Sequence, residues 1–94
     1  MVSFDDRSIK RLAVAVLANA VQEAVTPVVR RGKMKEEAFE KKKLERLRAI
    51  KWITSNSEGM QMWSYLSDID PDAIASRMRS KLPKDVVDQA DALD

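Results

Sequence analysis

Three prolines constrain the fold of this chain more than any other sequence feature, because each of them marks a helix boundary. Pro27 follows a threonine, and the residue before a proline is pushed out of the α region, so a first helix must end there. Pro71 follows Asp70, a pair typical of a helix start, with the acid as N-cap and the proline in the first turn. Pro83 ends the helix that begins at this pair.

Hydrophobic periodicity and composition indicate an all-α fold class. Apolar residues recur every three or four positions, few β-branched residues alternate with polar ones, and the 94 residues include only two Gly. We predict one small domain over 1–94, a bundle of four to five helices. Its parts are an apolar first helix (6–25), a basic long helix (34–53), a helix-turn-helix-like pair near the C-terminus (58–82) and an acidic tail (84–94) that either forms a last helical turn or two or frays.

Two absences limit the chemistry open to this chain. It contains neither Cys nor His, so disulfides, thiolate metal sites and a Ser-His-Asp triad are all excluded. Its carboxylates mostly sit where helix starts and solvated faces would place them, and no pairing of titratable groups suggests a catalytic cleft. We therefore predict a protein that is not an enzyme, with no catalytic residue, no metal and no cofactor.

Charge is distributed unevenly along the chain, although the formal net charge is only +2. Residues 1–29 are neutral overall, with three basic and three acidic side chains. Residues 30–53 contain ten Lys and Arg against four Glu, for a net charge of +6, and residues 54–94 contain four against eight, for a net charge of −4. The basic middle is typical of a segment that faces a polyanion, although a solvated charged helix would have the same composition.

The first helix is apolar around most of its circumference. Ile9 and Ala13 lie on one stripe, but Val25 and several other valines lie largely outside it. Such a helix needs burial on more than one side, so it is either the central core helix of a monomer or the contact between two copies. We expect a homodimer, and its candidate interface residues are Leu12, Val14, Val16, Leu17 and Val21.

The same helix carries a stretch, KRLAVAVLANA, with the order of features found in a secretory signal. Asp5 and Asp6 stand where such a signal is positively charged, and the apolar run is far too short to span a bilayer. We therefore expect a cytoplasmic protein with no membrane partner.

The stretch WSYLSDIDPDAIASRMRSKL, Trp63 to Leu82, has the form of two short helices joined at a tight corner. In a helix-turn-helix unit, Ile69 would be the apolar turn residue and Ser64 the small residue where the helices cross. A hairpin that only builds a core would show much of the same pattern. For DNA binding, the base-edge candidates on the second helix are Ser76, Arg77 and Ser80. The phosphate candidates are Arg79, Lys81, Arg30, Arg31, Lys41, Lys42 and Lys43.

Residues Ala49 to Leu82 also resemble a known group of proteins. The run AIKWITSNS…WSYLSDIDPDAI is similar to a pattern in short helical proteins encoded by phages, prophages and mobile elements, in which Ala-x-x-Trp-φ-x-Ser precedes an aliphatic-Asp-Pro-Asp/Glu-φ-φ corner. Relatives often have Cys or Ala where this chain has Ser64, and LG or AG where it has Ser67 and Asp68. The resemblance implies a phage-related protein that acts in a host cell and has a helix-turn-helix-like corner. The function of this group is largely unassigned.

Two functions therefore stay open from the sequence. The first is non-catalytic nucleic-acid binding, with 71–82 as the recognition helix and 30–51 on the phosphates. The second is a phage protein-interaction module, such as an adaptor, an assembly subunit or an inhibitor of a host protein, that acts through apolar helix surfaces. An exposed face of Ser76, Arg77 and Ser80 would favour the first, and a buried Arg77 would count against it.

Overall fold

A computed structural model describes residues 6–93 of the chain and confirms the all-α class. No strand is present in this range. The five helices are α1 (Asp6–Val25), α2 (Glu36–Thr54), α3 (Glu58–Ser67), α4 (Pro71–Lys81) and α5 (Lys84–Asp91).

The helix boundaries follow local capping chemistry. The hydroxyl of Ser57 accepts a hydrogen bond from the Met60 backbone N–H at 3.2 Å and so caps α3. The carboxylate of Asp70 caps α4 in the same way, with Pro71 in the first turn, as the Asp-Pro pair predicts. The basic helix begins at Glu36 and not at 34, because Lys35 has an extended backbone and makes no side-chain cap.

The core surrounds the second half of α2, which contacts each of the other four helices. Ile50 and Ile53 of α2 are fully buried at its centre. At the α2–α3 connection, a Cβ on Gly59 would lie 3.0 Å from the indole Nε1 of Trp52, so this close approach favours a glycine in the first turn of α3. The buried apolar cluster consists of Leu17, Ala24, Ile50, Ile53, Met60, Met78, Leu82, Val87 and Ala90.

Small residues bring α1 and α3 close together. Ala13 of α1 is fully buried, and so is Ser64 of α3, while Ser67 is almost completely buried. The Ser67 hydroxyl donates to the Ser64 carbonyl oxygen at 3.0 Å, but the Ser64 hydroxyl has no hydrogen-bond partner within the described residues. One long side of α1 is therefore closed by a tight contact that includes an unsatisfied polar atom.

The helix-turn-helix-like pair is not confirmed. Asp68 adopts the left-handed conformation, with φ of 60°, and ends α3. The backbone N–H of Ile69 donates to the Ser64 carbonyl oxygen at 3.0 Å, and the backbone N–H of Asp68 donates to the Tyr65 carbonyl oxygen at 3.2 Å. These two hydrogen bonds form a Schellman motif. However, α3 packs mainly on α1 and α4 packs mainly on α2. Ile69, expected as the apolar residue of the turn, is 39% exposed.

The acidic tail folds as a helix instead of fraying. Val87 and Ala90 bury one side of α5 in the core, and α5 contacts α2 directly. The Lys51 ammonium group donates to the backbone carbonyl of Leu93, just beyond the end of α5. The segment that carries four of the chain's acids is thus part of the hydrophobic core and not a detachable tail.

Candidate binding surfaces on α1, α2 and α4

The outward face of α4 carries the three residues predicted to approach base edges. Ser76, Arg77 and Ser80 are all exposed, and together with Ile69 and Ala73 they line a shallow depression. Ile74 is half-buried and also lines this depression, and together with the buried Met78 it packs α4 against the core. The structure therefore exposes the face that the sequence predicts, whereas a helix-turn-helix unit is not confirmed.

Arg79 has a different place from the one predicted for a phosphate contact. Its two terminal nitrogens lie 3.2 and 3.3 Å from the two carboxylate oxygens of Asp91 in α5, and one of them lies 3.4 Å from the Thr54 carbonyl oxygen. A paired guanidinium that joins α4, α5 and the end of α2 has a structural role. Arg79 therefore makes an internal contact, and its phosphate contact stays a prediction.

Two other predicted phosphate contacts are also engaged within the chain. Arg30 forms a salt bridge with Glu36 at 2.6 Å and lies 6.0 Å from the centre of the Phe39 ring. Lys43 lies 3.5 Å from Glu40 and 5.2 Å from the same ring centre. Both cations thus flank Phe39 at the beginning of α2, where carboxylates already neutralise them in part.

Five other cations share one surface, which we name the basic strip. It lines two adjoining concavities that share Pro27 and Arg46. The first lies between the end of α1 and α4, and the second lies between the end of α1, the 26–35 linker and α2. The second also contains Glu23 and Glu45. The basic strip consists of Arg31, Lys42, Arg46, Arg77 and Lys81.

Arg46 is the central residue of the basic strip, and it was absent from the predicted contacts. Its Nε donates to the Ala24 carbonyl oxygen at 3.0 Å, which satisfies an orphan carbonyl near the end of α1 and fixes the guanidinium between the two concavities. A sequence signal exists, because Arg46 lies four residues before the buried Ile50 and so projects within about 40° of the core side of α2. Lys41, by contrast, projects about 140° from Arg46 and lines neither concavity.

The concavity between α1 and α4 is an apolar groove with a basic rim. Its volume is about 660 Å³. Of its ten lining residues, all within the described part of the chain, three are basic and none is acidic. Those basic residues are Arg46, Arg77 and Lys81. The apolar lining consists of Val21, Val25, Pro27, Ile74, Met78, Leu82 and Pro83.

The predicted dimer residues of α1 do not share one surface. Leu17 is only 3% exposed and belongs to the core of its own chain, so it cannot contact a second copy in this fold. Leu12 and Val14 are 53% and 42% exposed, but they project about 160° apart on α1. Val16 and Val21 are half-buried. The fold thus separates this set into a core residue and two opposite sides of the helix.

No protein-family model, curated protein or solved structure matches the chain. Between residues 6 and 93, no helix is both long and apolar enough to cross a membrane.

Proposed function

We propose that this protein binds nucleic acid without catalysis, with the basic strip on the phosphates and the outward face of α4 against the bases. The observation that carries the proposal is the convergence of five cations from the linker, α2 and α4 on two adjoining concavities. Phosphate contacts by Lys and Arg supply most of the affinity of a nucleic-acid-binding protein, and they fix its position on the backbone.

The exposure of the α4 face supports the same proposal. Arg77 belongs to both surfaces, because it lines the groove and also the depression that contains Ser76 and Ser80. A ligand held on the basic strip would therefore lie next to two hydroxyls and a guanidinium, groups that read base edges by hydrogen bonds. Arg30, Lys43 and Arg79 have no part in the proposed contact, because each already has a carboxylate partner.

The test is fluorescence anisotropy with a labelled duplex, titrated with the intact chain and two double variants. In Arg77→Ala/Lys81→Ala, both groove cations on α4 are lost. We expect its affinity to fall roughly tenfold, because each phosphate contact contributes on the order of 0.5–1 kcal/mol. The matched control is Lys41→Ala/Arg48→Ala, which removes the same charge from a part of α2 that lines neither concavity.

The two variants separate a site from a general effect of charge. Equal losses in both would mean that the duplex responds to net charge alone, and the basic strip would not be the binding site. No binding of the intact chain at low salt would remove the proposal altogether. Circular dichroism of each variant checks that the helices are intact.

A second candidate function is the docking of a protein partner, and the apolar groove between α1 and α4 favours it. A phosphate backbone would gain nothing from an apolar lining of seven residues. The apolar face of a partner helix would pack against that lining. Under either function the protein would act in the cytoplasm of a host cell. The phage-related origin stays a prediction, and so does the homodimer.

A further inference from the structure

An apolar stripe on α1 continues the groove toward the N-terminal end of that helix. It consists of Val14, Ala18, Val21 and Val25, which are spaced by four, three and four residues. This is the spacing by which one helix presents a seam to another. Val14 and Ala18 are exposed, Val25 is 37% exposed, and Val21 and Val25 line the groove. No other helix of the described chain covers the first half of the stripe.

The charges beside this stripe are basic at both ends. Arg7, Lys10 and Arg11 are exposed and lie seven, four and three residues before Val14, so they project from the same side of α1. At the other end, the groove contributes its three rim cations. The single acidic residue of α1 with a described side chain, Glu23, lines the second concavity instead.

This charge pattern argues against a second copy of the chain as the occupant. In a two-fold antiparallel contact along the stripe, Arg7, Lys10 and Arg11 of one copy would lie beside Arg77 and Lys81 of the other. Like charges placed against each other across an apolar seam destabilise the contact. A partner with carboxylates on both flanks would replace this repulsion with attraction.

We infer that the stripe and the groove together dock an amphipathic helix of a partner protein, with an apolar seam and acidic flanks. The distance from Arg7 to Val25 along α1 corresponds to about 27 Å, which a partner helix of about 18 residues would match. Apolar residues at heptad spacing would pack on the four stripe residues, and Asp or Glu on either side would pair with the cations at both ends.

The inference goes beyond nucleic-acid binding and does not rest on it. The two ligands would nevertheless share Arg46, Arg77 and Lys81, which are three of the five cations of the basic strip. A docked acidic helix would therefore displace a duplex from the α1–α4 concavity. Competition tests this overlap, whereas direct peptide binding tests the docking site alone.

The experiment uses three labelled peptides of 18 residues and the full chain. The first has Leu at heptad positions and Glu on both flanks, the second has Gln for every Glu, and the third has the composition of the first in scrambled order. We expect the first peptide to bind at about 150 mM salt, and the Gln peptide to bind about tenfold more weakly because two or three ion pairs are lost. The scrambled peptide should not bind, since it has no apolar seam.

Two protein variants locate the site. Val14→Ser/Val25→Ser removes apolar contacts from the stripe and should reduce peptide affinity about tenfold. The reason is that each serine buries less apolar surface than valine against the apolar seam of the peptide. Duplex affinity should not change in Val14→Ser alone, because Val14 lines neither concavity. Leu12→Ser, on the other side of α1, is the matched control and should leave both ligands unaffected.

Each alternative outcome overturns the inference in a distinguishable way. Equal affinity for the Glu and Gln peptides would mean that acidic flanks do not contribute to docking. Equal affinity for the first and the scrambled peptides would mean that binding depends on charge and not on an apolar seam. A dimer in sedimentation that Val14→Ser/Val25→Ser abolishes would make the occupant a second copy. Failure of all peptides with normal duplex binding would remove the docking site and leave the proposed function intact, and the reverse result would remove the proposed function alone.

Discussion

The two long sides of α1 differ in how the fold uses them. On one side, α1 packs on α3, and the small residues Ala13 of α1 and Ser64 and Ser67 of α3 are buried. On the other side, Ala18 and Val14 are exposed, and the groove beside them is open. Both sides are apolar in sequence, so hydrophobicity alone does not distinguish a core contact from a binding surface.

The side chains of the opposing helix therefore decide which apolar side of α1 becomes core. The covered side packs on a helix of the same chain, whereas Val14 and Ala18 on the open side stay exposed among the described residues, beside a groove with three rim cations. The overall shape agrees with this arrangement. The radius of gyration is 15.2 Å, compared with about 12 Å for a compact domain of this length.

The largest expected effect comes from adding the same volume to each side of α1. Ala13→Leu forces three additional heavy atoms into the α1–α3 contact and should lower the free energy of unfolding by about 2 kcal/mol or more. Ala18→Leu adds the same atoms to the open side of α1 and should change the free energy of unfolding by less than about 0.5 kcal/mol. Urea denaturation of the two variants measures both values. Similar values for the two would mean that the sides of α1 do not differ as described.

A smaller effect of opposite sign is expected at the covered contact. Ser64→Ala removes a buried hydroxyl with no partner in the described structure, so the free energy of unfolding should rise by about 1 kcal/mol. Ser67→Ala is the matched control, because the Ser67 hydroxyl donates to the Ser64 carbonyl and its loss should not stabilise the fold. If Ser64→Ala destabilises the protein by as much as Ser67→Ala does, the hydroxyl has a partner that the fold does not reveal.

The smallest expected effect lies at the corner that ends α3. Asp68 has a φ of 60°, so Asp68→Gly should relieve left-handed strain and raise the free energy of unfolding by about 0.5 kcal/mol. Asp68→Ala keeps a Cβ but loses the polar side chain that tolerates this conformation, and it should lower stability by a similar amount. Thermal unfolding followed by circular dichroism resolves the pair. A stabilising Ala variant would contradict a left-handed residue at this corner.

Local chemistry predicted much of the fold. The Asp70–Pro71 pair sets a helix start that depends on neighbouring atoms alone, and the structure confirms this start. The partner of each helix was not predictable in this way, since a corner with the spacing of a helix-turn-helix leads α3 onto α1 instead of α4. Whether α3 contacts α1 depends on packing between segments about fifty residues apart.

The candidate site was predictable only in part, for a similar reason. Exposure of Ser76, Arg77 and Ser80 follows from the helical period of α4, whose other side carries Met78 into the core. The engagement of Arg79 by Asp91 and the position of Arg46 against α1 depend on contacts between different helices. A list of basic residues in sequence therefore could not separate cations available to a ligand from those held by the fold.

Phosphate binding by the basic strip is tested by the salt dependence of duplex binding, measured by anisotropy between about 50 and 200 mM salt. If all five cations of the basic strip neutralise phosphates, log affinity should fall against log salt with a slope of about −4.5, a loss of roughly 500-fold over this range. In Arg77→Ala/Lys81→Ala the slope should be about −2.7, because two contacts are removed. A slope near zero, or the same slope in the variant, would contradict phosphate binding by the basic strip.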